Sequence, residues 1–294
     1  MTPIRPRRSA LYMPGSNARA IEKARTLAAD AVIFDLEDAV APDAKAAARE
    51  EVCAAVQAGG YGKRELVIRI NALETPWGEA DLAAAIAAAP DAILVPKVSS
   101  AETLAAVGLR LRKFGAAERT RIWAMIETPL AILRAESIAS AAHDVDTRLS
   151  CFVMGTNDLA KDTRARLLPG RAAMLPWLMD ALAAARAHGI DILDGVYNSL
   201  SDRQGFRAEC EQGRDCGFDG KTLIHPDQIA AANEIFAPSE GEVESAHAIV
   251  AAFAQPENAG KGAINFGGRM VERLHAEMAR RVLALAEAIG GTRP

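Results

Sequence analysis

The residues able to do chemistry in this chain gather where short apolar runs end. Asp35, Glu37 and Asp38 close or follow Val32–Leu36, and Arg69 and Asn71 close Leu66–Ile70. Lys97 follows Ala92–Val95 and Pro96, Glu127 follows Ile122–Ile126, and Asn157 and Asp158 follow Cys151–Met154. Asp194 and Tyr197 stand after Ile190–Leu193, and His225 after Thr222–Ile224. The set is rich in carboxylates and holds no cluster of His or Cys. Hard oxygen ligands of this kind suit Mg²⁺ or Mn²⁺, and Mg²⁺ characteristically takes one or two carboxylates and leaves its other positions to water and substrate. Glu127 and Asp158 end successive runs and can share one ion. Alone, Glu127 reads as a surface ion-pair partner and Asp158 as a helix cap.

Arg69 lies inside V-I-R-I-N, flanked by apolar residues. A cation there needs an anionic partner, because burying it unpaired is costly. It reads both as a salt bridge to Asp35 or Glu37 and as an anchor for a substrate carboxylate or developing enolate oxygen. Lys97 has two readings, a Schiff-base lysine or a charge partner for the acidic cluster, and the many nearby carboxylates favour the second. His225 reads as a hydrogen-bonded structural residue ahead of ligand or base. Tyr12 and Met13 read as packing residues ahead of ligand contacts.

The elements that must position these groups follow from the runs themselves. Ala10–Met13 precedes those named, making eight in all. Continuous apolar runs indicate strands buried on both faces, as in a parallel sheet. Helical patterns fill the gaps, at Ala18–Ala29, Asp43–Ala58, Ala101–Phe114, Leu130–Ala142 and Ala172–Ala187. Eight such units in series predict a (β/α)₈ TIM barrel, whose chemistry sits at the C-terminal ends of its strands. A doubly wound open sheet is the competitor, but the chain lacks a G-x-G-x-x-G turn. The barrel is expected over 1–236, with Pro226–Phe236 as its last helix, and a C-terminal helical extension over 237–294. In that extension Ser239 is placed to cap a helix running to about Phe253. Gln255–Gly268 reads as a Gly-rich linker or hinge, and Met270–Ile289 as an amphipathic helix.

Composition narrows the function. The chain has 294 residues, 50% hydrophobic, with a net charge of −4. That charge argues against nucleic-acid binding, which needs a basic surface. Four cysteines without a C-x-x-C pair argue against a zinc ribbon and a disulfide scaffold, and read as buried free thiols. No apolar run is long enough to span a membrane. The basic first residues lack a following apolar segment, so a cytoplasmic protein is expected.

Several ordered motifs resemble the citrate lyase β-subunit and malyl-CoA lyase family, within the HpcH/HpaI aldolase superfamily. They are R-S-A-L-Y-M-P-G-S-N (Arg8–Asn17), F-D-L-E-D-A-V-A-P-D (Phe34–Asp43), V-I-R-I-N (Val67–Asn71), L-V-P-K-V (Leu94–Val98), I-E-T (Ile126–Thr128), G-T-N-D-L-A (Gly155–Ala160), D-G-V-Y (Asp194–Tyr197), G-F-D-G-K-T-L-I-H-P (Gly217–Pro226) and G-K-G-A-I-N-F-G-G-R-M-V (Gly260–Val271). The resemblance implies Mg²⁺ on Glu127 and Asp158, with Arg69 contacting substrate near the thioester beside Asn157. It implies that Glu37 and Asp38 surround the metal and its waters, and that Tyr12, Asn17 and Lys23 contact CoA. It also implies a homotrimer or homohexamer in which an acid/base near the C-terminus serves a neighbouring subunit. Related lyases have Asp there. This chain has Glu272, one methylene longer, and a shift of about 1 Å can cost on the order of 10²-fold in rate.

The activity so implied is Mg²⁺-dependent cleavage of malyl-CoA, methylmalyl-CoA or citramalyl-CoA to a 2-oxo acid and an acyl-CoA. The alternative is a (3S)-malyl-CoA thioesterase on the same scaffold, and Glu272 makes it a serious competitor. A citrate lyase β-subunit acting on a carrier-bound acyl group ranks lower. So does a free 2-keto-acid aldolase, which would carry E-H where this chain has Glu37–Asp38.

Overall fold

Each of the eight apolar runs becomes a strand of one closed parallel barrel in the computed structural model, which describes residues 4–292. The strands are β1 (Ser9–Pro14), β2 (Ala31–Asp35), β3 (Glu65–Arg69), β4 (Ala92–Val95), β5 (Arg121–Ile126), β6 (Leu149–Met154), β7 (Asp191–Asp194) and β8 (Gly220–Leu223). They follow one another in chain order around the ring, and β1 pairs with β8 to close it. Helices connect them, so the fold is the (β/α)₈ barrel and not the open sheet. The expected outer limits at residues 1 and 294 lie outside the described residues. Arg7–Asn233 forms one compact unit, and residues 4–6 with 234–292 form a second.

Strand periodicity decides what faces inward. Ile33, Val67 and Met125 belong to the buried cluster that fills the barrel, with Tyr12 packed on it. Asp35, Arg69 and Glu127 lie two residues beyond them on the same face. The apolar filling is thus topped by a charged layer at the C-terminal ends of the strands. Deeper in the same cluster, Ala10, Ala31 and Ala92 are small and leave room for Trp123. The Arg7 guanidinium lies 4.9 Å from that indole, held by Glu65 at 2.7 Å and Asp191 at 2.5 Å.

Several elements differ from expectation. The helix expected over Ala18–Ala29 is α-helical only at Ala18–Lys23 and tightens into a 3₁₀ turn at Ala24–Thr26. The one expected over Leu130–Ala142 breaks at Arg134 into Pro129–Leu133 and Ala135–Ser140. Pro226–Phe236 begins as a 3₁₀ turn at Pro226–Gln228 before the helix Ile229–Ile235. Of the cysteines, Cys151 and Cys210 are buried and Cys53 and Cys216 half-buried; all are free.

In the second unit, Ser239 caps the helix Glu240–Ala254 with a reciprocal Glu242 bond, as its position indicated. The Gln255–Gly268 stretch is not a plain linker. It contains strand β9 (Ala263–Phe266), paired antiparallel with β10 (Arg269–Glu272). Gly267 and Gly268 both have positive φ, 58° and 78°, which a two-residue hairpin turn demands. The last helix therefore starts at Arg273, and Glu272 ends a strand. No helix among the described residues is long and apolar enough to cross a membrane.

Candidate active site

Asp35 and Arg69 are register partners on β2 and β3. Arg69 donates from Nε to Asp35 Oδ1 and from Nη2 to Oδ2, both at 2.7 Å. This two-pronged bond fixes the plane of a guanidinium that is 6% exposed. Burial works against its charge, but the Asp35 and Glu37 carboxylates together outweigh burial and hold Arg69 protonated. Tyr12 covers it, with its ring centre 4.9 Å away. The remaining nitrogen, Nη1, lies 2.8 Å from Glu37 Oε2 and 3.3 Å from Asp38 Oδ2. Asp38 is well exposed, so this nitrogen marks the direction of solvent.

Glu127 follows β5 and is fully buried. Its Oε1 accepts the Lys97 backbone N–H at 2.7 Å. Its Oε2 is buried and accepts no hydrogen bond from any described residue. Asp158 lies in the first turn of the helix Thr156–Thr163. The Lys97 ammonium ties the two together, 2.7 Å from Asp158 Oδ1 and 3.5 Å from Glu127 Oε1. Lys97 is thus the charge partner of the carboxylates.

Burial pushes Glu127 up to about 7, against the pull of Lys97. Burial likewise pushes Glu37 up to about 8, against Arg69 and with help from the Glu127 charge. Two carboxyls raised by desolvation, one with an unspent buried oxygen, fit a hard divalent cation that would supply the missing charge. Among the described residues no group of three or more His, Cys, Asp or Glu is placed to hold an ion. Such an ion would be held by Glu127 and Asp158, with water and substrate completing its shell.

Other expected residues fall elsewhere. Asn71 donates to Leu36 O at 2.8 Å and Asp81 Oδ2 at 2.6 Å, a buried structural role. Asn157 is exposed and exchanges amide bonds with Asn198, at 2.7 and 3.2 Å. Asn17 caps the first helix through Ala20 N at 3.1 Å, and both Asn17 and Lys23 are exposed. His225 accepts the Asp227 N–H at 3.2 Å, the hydrogen-bonded structural role. Met13 is core. Glu272 is half-buried in the second unit, where its backbone N–H donates to His275 Nδ1 at 3.0 Å.

Asp194 is fully buried, bound by Arg171 at 2.7 Å and Lys221 at 2.9 Å. Burial would raise this carboxyl, but Lys221 and Arg171 overcome it and hold it below the usual range. Lys221 also reaches Glu209 at 2.7 Å. Sequence reasoning missed Arg171, Glu209 and Lys221. The signal for Lys221 was available: a charged residue in the short strand G-K-T-L of a closed barrel must find anions.

A closed barrel with a buried arginine and a carboxylate pair at the C-terminal ends of its strands is the arrangement of a (β/α)₈ enzyme, whose chemistry sits at that face. The chain belongs to the HpcH/HpaI aldolase/citrate lyase family, whose model matches residues 8–226. It is 51% identical over 288 residues to a (3S)-malyl-CoA thioesterase of Cereibacter sphaeroides, covering 98% of this chain and 97% of that one. It is 36% identical over 291 residues to the citrate lyase subunit beta of Escherichia coli, covering 97% and 95%. Among solved structures it is similar to the protein CitE of Mycobacterium tuberculosis in complex with magnesium, acetoacetate and coenzyme A, at 28% identity and a TM-score of 0.76, covering 95% of this chain and 97% of that one.

Proposed function

We propose that the protein is a Mg²⁺-dependent (3S)-malyl-CoA thioesterase, hydrolysing the thioester to malate and free CoA. The observation that carries this is the 51% identity, end to end, with the Cereibacter thioesterase. It reverses the order expected from sequence, which put C–C cleavage first. The magnesium and coenzyme A named with the Mycobacterium structure support the metal and the ligand class.

Mg²⁺ or Mn²⁺ on Glu127 and Asp158 would supply Lewis-acid polarisation and a template for the oxygens of the short acid. The chain's own residues do the rest. Arg69 is locked by Asp35 and covered by Tyr12, so Nη1 is a preorganised cation for negative charge developing on the thioester oxygen. Water adds to the thioester carbon and gives up a proton, the C–S bond breaks, and the leaving thiolate takes a proton. Glu37, raised to about 8 and 2.8 Å from Arg69, is placed to take and return that proton, with Asp38 ordering water beside it. Asn157 meets the acid portion, and Tyr12, Asn17 and Lys23 serve the CoA end. Glu272 acts as acid/base in a neighbouring copy's site, within a cytoplasmic homotrimer or homohexamer.

The second reading is reversible C–C cleavage of the same ester class to a 2-oxo acid and acyl-CoA, supported by the 36% identity with a citrate lyase subunit. Product analysis with purified protein, Mg²⁺ and (3S)-malyl-CoA separates them. Malate with free CoA establishes the thioesterase, and glyoxylate with acetyl-CoA establishes the lyase. Neither product rejects both for this substrate.

A further inference from the structure

Lys97 clasps one carboxylate twice. Its backbone N–H donates to Glu127 Oε1 at 2.7 Å, and its ammonium returns to within 3.5 Å of the same oxygen. Lys97 holds these contacts from a left-handed backbone, φ 53°, which side-chain-bearing residues avoid. Strain of this kind persists where surrounding contacts hold it, and it collects at functional sites. The far end of the side chain is 2.7 Å from Asp158 Oδ1. The lysine side chain keeps 36% of its surface exposed, whereas that of Glu127 keeps 1%. The ammonium therefore has a short way out to water, and the carboxylate has none.

We propose that Lys97 is the built-in counter-cation of the Glu127–Asp158 pair, competing with the divalent ion for the same oxygens and swinging toward solvent when the ion enters. The inference rests on the metal reading above and adds a residue to it. Two carboxylates this close, one of them fully buried, repel each other unless a cation stands between them. Lys97 meets that need before metal arrives, and its mobile stem lets it leave. The backbone N–H is unaffected by this movement and keeps Glu127 oriented. Lys97 is thus a positioning residue that sets metal affinity, and forms no covalent bond to substrate.

The test is Mn²⁺ binding to the purified full chain, followed by electron paramagnetic resonance and calorimetry, with thermal melts in EDTA. Lys97→Met removes the competing charge, so Mn²⁺ should bind about five- to tenfold more tightly. Its melting temperature in EDTA should fall below wild type, and saturating Mn²⁺ should restore it. Lys97→Arg keeps the charge and should bind no more tightly than wild type. Should Lys97→Met fail to fold, Lys97→Gln takes its place, with the same tighter binding expected. Unchanged or weaker binding by the neutral variants, or tighter binding by Lys97→Arg, overturns the counter-cation role alone. Wild-type protein that takes up no Mn²⁺, or takes it up equally after Glu127→Gln, overturns the metal site and this inference with it.

Discussion

Gly155 and Glu127 fit together because glycine has no β-carbon. One added at Gly155 would lie 2.3 Å from Glu127 Cβ and 2.7 Å from Glu127 Oε2. The φ of Gly155 is −97°, open to any residue, so space and not backbone conformation requires glycine here. Gly155→Ala should push Glu127 off its position. Overpacking of this kind costs about 1–3 kcal/mol, and Mn²⁺ affinity should fall at least about tenfold with the lost geometry. A melt and a Mn²⁺ titration check both, and an unchanged affinity would show that Glu127 does not bind the ion in this position.

Asp35 does three jobs. It pairs with Arg69, and its two oxygens accept the backbone N–H groups of Glu37 and Ala39 at 2.8 and 3.0 Å. Asp35→Ala should therefore cost about 3–5 kcal/mol, the scale for stranding a buried charge. Adding Arg69→Met should recover part of that stability and none of the activity. Chemical denaturation of the single and double variants measures the coupling.

Stability should depend on pH with a definite sign. Burial holds Glu127 at about 7 and Glu37 at about 8, whereas a free Glu titrates near about 4.3. Between roughly pH 5 and 8 the folded chain then binds more protons than the unfolded one. Without metal, stability should be fullest at the acid end of that window and decline as pH rises through it. Melts in EDTA across the range check this, and Glu37→Gln should flatten the decline. Metal needs ionised Glu127, so Mn²⁺ affinity should climb with pH, by up to about tenfold per unit below pH 7, and then level off.

Lys221 should matter for folding and not for metal. It is fully buried and satisfied by Asp194 and Glu209. Lys221→Met should destabilise by about 3–5 kcal/mol by leaving those carboxylates short of a cation, while Mn²⁺ affinity at a temperature where the variant is folded stays at the wild-type value. Weakened metal binding there would link this network to the site.

Glu272→Gln tests the role given to a neighbour's carboxylate. Loss of an acid/base should lower turnover by about 10²–10⁴-fold and leave Mn²⁺ binding unchanged. Near wild-type rates with malyl-CoA, methylmalyl-CoA and citramalyl-CoA alike would reject the assignment.

The barrel was legible in the sequence because eight apolar runs, each long enough for one strand and separated by helix-length gaps, leave few other ways to bury their surfaces. The same pattern placed Asp35, Arg69, Glu127 and Asp158 at or just past strand ends, and the barrel brings them to one end of the ring. Local pattern also gave the Ser239 cap, since a capping box lies within four residues. It missed the β9–β10 hairpin, where glycine-rich flanks hide a strand of only four residues with one face exposed. It paired Arg69 with Asp35 or Glu37 and Lys97 with the acidic cluster, and left open which carboxylate each would take. Lys97 and Glu127 are 30 residues apart, and Arg171 and Asp194 are 23 apart. Which cation meets which carboxylate depends on side chains from different strands converging at one end of the ring. Sequence determined that the strand ends would carry charge; only closure of the barrel decided that Asp35 would lock Arg69, that Lys97 would clasp Glu127, and that Asp194 would be consumed by structure, because those pairings form through space and no local spacing encodes them.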